Sequence, residues 1–112
     1  MKMKILLPVL SSVCLIMAGC SKEDEPEVTK VTYNNAVKSV LVTNCAPCHV
    51  SGGGNPSKWD DYNTAKSKID DILERVNRDV SEAGFMPQGG TKLSVSAINI
   101  LNQWKSDGLL EN

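Results

Sequence analysis

Two thiols and the chain's only histidine fall within one pentapeptide, Cys45-Ala46-Pro47-Cys48-His49. No other feature restricts the fold as strongly, because these three reactive or metal-ligating side chains must share about one turn of backbone. The chain around them is short. Its 112 residues allow one domain. Aromatic residues make up only 4% of it, and a domain of this size is marginal on apolar burial alone. Something other than side chains is therefore expected to complete the core beside the pentapeptide.

Residues 1–19 differ in character from the rest. Lys2 and Lys4 make a short basic start, Ile5 to Met17 is an almost continuous apolar run, and Ala18-Gly19 precede Cys20. The run is too short to span a bilayer comfortably, and its order of parts is that of a secretory signal peptide. Met17-Ala18-Gly19-Cys20 resembles the lipobox of bacterial lipoproteins, with Met17 where leucine is usual. That resemblance implies cleavage before Cys20 and acylation of its sulfur. The chain would then be a lipid-anchored, membrane-associated protein of the bacterial cell envelope, at the outer membrane and facing the periplasm or the surface. Several acyl chains give the stable anchoring that a single one does not. Losing Lys2 and Lys4 leaves the mature chain more acidic, and no basic stripe suggests a nucleic-acid partner. Residues 20–30, including Ser21-Lys22-Glu23-Asp24-Glu25-Pro26-Glu27, read as an acidic flexible tether. Residues 31–112 then form the folded domain.

Three helices are expected within it. Thr32 can cap the first, whose apolar stripe is Val37, Val40 and Leu41. A second is expected after Asn63, where Ala65, Ile69, Ile72, Leu73 and Val76 recur near helical spacing, while Lys66, Lys68, Asp70, Asp71, Glu74 and Arg75 occupy the other side. The third has the clearest punctuation. Ser94 caps it, Leu93 can staple against Ile98, Leu101 and Trp104 extend the same face, and Gly108 can close it in a left-handed turn. The stretches from Ser51 to Pro56 and from Gly84 to Gly90 have no period and read as loops. Gly52 to Gly54 could let backbone approach a flat ligand closely.

The pentapeptide is a c-type heme attachment motif. Its two thiols can add across heme vinyl groups, and the adjacent histidine can turn its imidazole toward the iron. An exported chain suits this chemistry, since c-type maturation takes place outside the cytoplasm. Other readings compete. A Cys45–Cys48 disulfide would leave His49 unexplained. A thioredoxin-like dithiol belongs between a strand and a helix, and strand signal is scarce. A zinc site would need further ligands, and there is no second histidine. After removal of the signal segment Met86 is the sole methionine. It sits in the loop Phe85-Met86-Pro87, ahead of the capped last helix. Its thioether is a soft ligand that favours reduced iron, although a lone methionine can equally serve as adaptable core filler.

From Val31 to Leu110 the chain resembles the class I (monoheme) cytochrome c domains of bacteria. The resemblance rests on a helix leading into Cys45-Ala46-Pro47-Cys48-His49, a middle helix, the loop Met86-Pro87-Gln88-Gly89-Gly90, the helix start at Leu93-Ser94, and the ending from Trp104 to Gly108. It implies a small all-α fold whose terminal helices cross and pack around one covalently attached heme c. It also implies attachment at Cys45 and Cys48, iron ligation by His49 and Met86, and metal-binding of that kind only. Val37, Val40 and Leu41 would then meet Leu101 and Trp104. Trp59, Tyr62 and Phe85 could line the heme pocket or simply pack. A backbone carbonyl near Gly53 to Pro56 is expected to orient the His49 ring N–H. The function implied is one-electron transfer with redox partner proteins, and no enzyme activity. The alternatives are a heme subunit of a larger redox enzyme, or a heme-based redox or gas sensor.

Overall fold

Thr32 starts the first helix through a reciprocal pair of side-chain bonds. Its hydroxyl accepts the Asn35 N–H at 3.2 Å, and the Asn35 side-chain oxygen accepts the Thr32 N–H at 2.8 Å, so two donors left over at a helix start are satisfied together. The structure is a computed structural model that describes residues 28–112. The expected signal peptide, the Cys20 lipidation and most of the tether lie outside those residues.

The first helix opens as a π-helical turn, Tyr33–Val37, and continues as α1, Lys38–Cys45. The sequence pointed to an ordinary helix here. The wider turn goes with an outside anchor for its first amides: the Tyr33 and Asn34 N–H groups donate to the Leu110 and Glu111 carbonyls at 2.8 and 3.0 Å. Tyr33, Val37 and Leu41 thereby share one buried face. Val40 is only partly buried at its edge.

The middle helix, α2, runs Tyr62–Asn77, slightly earlier than its apolar period suggested. Asp61 is the reason. Its carboxylate accepts the Thr64 N–H at 2.8 Å and the Thr64 hydroxyl at 2.7 Å, which makes it the N-cap. Ala65, Ile69, Ile72, Leu73 and Val76 are all buried, as their spacing requires. At its far end Lys92 donates to the Asn77 and Arg78 carbonyls, both at 3.1 Å.

The last helix, α3, is Val95–Ser106, with the Ser94 hydroxyl accepting the Ala97 N–H. Gly108 takes φ +97°, and the Leu109 N–H returns to the Trp104 carbonyl at 2.9 Å, which is the left-handed closure expected of a glycine after a helix. α3 packs against the opening π turn and against α2. Val37, Leu41, Leu101 and Trp104 are the most deeply buried large side chains and belong to one cluster. The rings of Tyr33, Tyr62 and Trp104 meet at centroid distances of 5.6 to 6.4 Å. The result is a small all-α domain with three helices and no strand among the described residues.

The two ends of the domain are also joined by Asp107. Its carboxylate accepts the Val31 N–H at 2.7 Å and the Gln103 side-chain amide at 2.9 Å. These bonds, the Val31 one first, hold its carboxyl below the ordinary 3.8. A depressed folded value contributes stability above the unfolded value, which is lost as pH falls through the folded one. Acid unfolding should therefore steepen below about pH 4, and Asp107→Asn should flatten that limb in pH-dependent thermal melts. Trp104→Ala should cost about 3–5 kcal/mol, the range for truncating a buried aromatic, read as a fall in the midpoint of thermal circular dichroism.

Candidate functional site

The pentapeptide continues directly from α1. Cys45 is the last residue of that helix, and its carbonyl accepts the His49 N–H at 3.0 Å, closing one further turn around Ala46, Pro47 and Cys48. Both cysteines are free thiols. Cys45 is half-buried, and burial pushes its thiol up to about 11. A thiol kept protonated in this way is a poor exchange nucleophile, which weighs against the redox-dithiol reading.

The segment from Val50 to Asp60 folds back over this turn. The Asn55 N–H donates to the Cys48 carbonyl at 3.1 Å, the Trp59 N–H to the His49 carbonyl at 2.7 Å, and the Gly53 N–H to the Val50 carbonyl at 2.8 Å. The Lys58 ammonium donates to the Gly53 carbonyl at 2.7 Å, and the Asp60 carboxylate accepts the Ser51 N–H at 2.9 Å. Gly53 is required by this arrangement. A Cβ there would stand inside contact distance of the Pro47 carbonyl oxygen and 2.5 Å from that of Cys48. The close approach expected of Gly52 to Gly54 is thus made by Gly53, toward the pentapeptide's own backbone.

The His49 ring is fixed on two sides. Its Nδ1 lies 3.0 Å from the Ser57 carbonyl oxygen. A carbonyl only accepts, so Nδ1 carries the proton and Nε2 presents a free lone pair. The sequence put this carbonyl near Gly53 to Pro56; it is that of Ser57, the next residue along, whose own N–H donates to the Asn55 side chain at 2.8 Å. The Trp59 indole stacks on the imidazole, with centroids 4.8 Å apart and planes 12° from parallel.

Met86 reaches the same place from the far end of α2. Its N–H donates to the Arg75 carbonyl at 3.3 Å, and the Gly90 N–H closes the following turn on the Pro87 carbonyl at 3.0 Å. The Arg75 and Arg78 guanidiniums brace the loop from below by donating to the Gly84 and Ala83 carbonyls. Cys45, Cys48, His49 and Met86 all line one cavity of about 670 Å³, within the range of small-molecule and cofactor sites. Ile72 and Val76 of α2 and the Trp59 ring supply apolar wall, and Lys68, Asp71 and Arg75 also line the cavity.

Of the aromatic side chains expected near the site, Trp59 lines it. Tyr62 instead packs against Tyr33 and Trp104, and Phe85 is buried outside the cavity. The sequence puts Lys68 and Arg75 on the side of α2 opposite its apolar stripe. Ile72, Arg75 and Val76 stand four, seven and eight positions after Lys68, along one helical face, and that spacing is the signal that joins Lys68 and Arg75 to the cavity.

The broader expectations of a metal-binding and membrane protein are corrected for the described residues. No group of three or more His, Cys, Asp or Glu side chains there is placed to hold a metal ion. His49 is the sole imidazole, and the described residues do not by themselves build an ion site around it. No helix there is long and apolar enough to cross a membrane. No family model matches this chain, and neither a curated protein nor a solved structure matches it.

The tight passage of Gly53 over the pentapeptide gives a direct test. Gly53→Ala should lower stability by about 1–3 kcal/mol, the usual cost of overpacking, with the loss visible in the thermal midpoint. It should also expose the His49 amide, which hydrogen exchange reads.

Proposed function

We propose that this chain is a one-electron carrier built on one covalently attached heme c, in a fold of the class I cytochrome c type. The observation that carries the reading is the convergence of Cys45, Cys48, His49 and Met86, two parts of the chain distant in sequence, on one cavity. The donor set fits the group chemically: two thiols three residues apart, an imidazole whose Nε2 is free because Nδ1 is bonded to Ser57, and a thioether carried by a separate loop. The cavity volume and its apolar walls suit a large flat ligand, and an all-α domain with few aromatic residues has need of one to complete its core.

In this reading Cys45 and Cys48 would hold the group through thioether bonds, and His49 and Met86 would ligate its iron. When bound, the heme supplies a reversible Fe(III)/Fe(II) couple. The protein's part is to hold, orient and shield. The Ser57 bond fixes the imidazole tautomer and raises its basicity. The Met86 thioether favours the reduced state and raises the potential. Ile72, Val76 and Trp59 keep water from the cavity walls. With His49 and Met86 both given to the iron, the chain would offer no place for a substrate there, and the activity would be electron exchange with a docked redox partner.

Met86→Ala tests this. Protein made with c-type maturation should show the near-infrared sulfur-to-iron band in its oxidised spectrum. The variant should keep its covalent heme, lose that band, bind carbon monoxide readily when reduced, and have a lower potential. A variant with unchanged spectrum, potential and ligand binding would reduce Met86 to pocket packing.

A further inference from the structure

We infer that Trp59 is a positioning residue for His49: it sets the plane of the imidazole and holds it against rocking, a role distinct from filling the core. This rests on the proposed function, since it concerns how an iron ligand is held.

Two constraints of different kinds act on the ring. The bond from Nδ1 to the Ser57 carbonyl fixes one edge of the imidazole. By itself a single bond at one edge leaves the ring free to rock about the line from Cβ to that bond. The indole lies nearly parallel to the imidazole at a centroid distance of 4.8 Å, so tilting toward it is blocked by direct contact. Tilting away loses the stacking contact.

The backbone that carries the indole is itself anchored. The Trp59 main-chain N–H donates to the carbonyl of His49, the residue on which the ring stacks, at 2.7 Å. The Trp59 carbonyl accepts the Tyr33 hydroxyl, also at 2.7 Å, and the side chain is buried at 8% exposure. Tyr33 in turn lies against Tyr62 and Trp104. The imidazole plane is therefore referred, through one residue, to the packed junction of the first and last helices. Covering one face of the ring also excludes water from it, and both effects tune a ligated metal through its ligand.

The test uses the holoprotein. In oxidised low-spin heme proteins the spread and order of the heme-methyl proton shifts follow the orientation of the axial imidazole plane. The parent should show one set of methyl shifts, and nuclear Overhauser contacts between the Trp59 indole and the His49 ring protons. Trp59→Leu should redistribute or double the methyl shifts and lower the reduction potential while helical circular dichroism and covalent heme persist. Trp59→Phe, which keeps a flat ring, should stay near the parent pattern. A Trp59→Leu protein with parental methyl shifts and potential overturns the proposal, as does a parent lacking the Trp59–His49 contacts even if the leucine variant fails to fold. Parent protein that carries no heme in denaturing electrophoresis instead overturns the carrier assignment itself, a result readable before any variant is made.

Discussion

The hydrogen bond from the Tyr33 hydroxyl to the Trp59 carbonyl joins the two halves of this molecule. It is short, at 2.7 Å, and buried. On one side of it lies the packed core, where the Tyr33 ring meets Tyr62 and Trp104 and where Trp104 donates to the Leu110 carbonyl at 2.8 Å. On the other side lies the cavity, where Trp59 is bonded to the His49 backbone and stacked on its ring. Burial pushes the Tyr33 phenol up to about 12, with the charges of Asp60, Asp61 and Glu111 acting in the same direction. The group therefore stays a neutral donor across the physiological range. A buried carbonyl left without this donor would cost about 1–3 kcal/mol, so core and site are coupled in energy as well as in space.

This coupling explains why the domain is organised around an irregular segment. The loop between α1 and α2 carries few apolar side chains, yet its backbone is tied to the pentapeptide by the Asn55 and Trp59 amides, with Gly53 packed close against it. Such ties are what a loop needs if it is to hold a functional side chain as steadily as a helix would. The second loop reaches the same cavity by a different device. Main-chain and guanidinium bonds to the end of α2 carry Met86 there. Two loops on a three-helix frame thus supply most of the polar chemistry, while α2 gives the cavity its apolar wall.

Much of this was legible in the sequence because it depends on local chemistry. Ser94 before an apolar period, glycine after Trp104 and Lys105, and the i, i+4, i+7 pattern of Ala65, Ile69 and Ile72 each specify a helix or its end without reference to the rest of the chain. The pentapeptide likewise announces its own site. What was not legible depends on contacts between segments. The π turn at Tyr33 accompanies backbone bonds to the C-terminal residues Leu110 and Glu111, which no local pattern encodes. Which carbonyl meets the His49 ring depends on the path of the whole segment before Trp59, where Ser57 is held by Asn55 and faces His49. Trp59 could be assigned to packing or to the pocket on sequence alone, and it serves both, because a bond from a distant tyrosine places it between them.

The central claim is that the cavity holds a heme bonded to the two thiols of the pentapeptide. The half-buried thiol at Cys45 and the exposed one at Cys48 both line the cavity, and neither is engaged in a disulfide. The most direct measurement is denaturing electrophoresis with heme staining, on protein expressed together with a c-type maturation system and beside a Cys45→Ala, Cys48→Ala variant. The account predicts a heme-stained band at the protein's position that survives denaturation and is absent from the double variant. Heme that leaves the parent chain in denaturant, or that is never acquired, would contradict it.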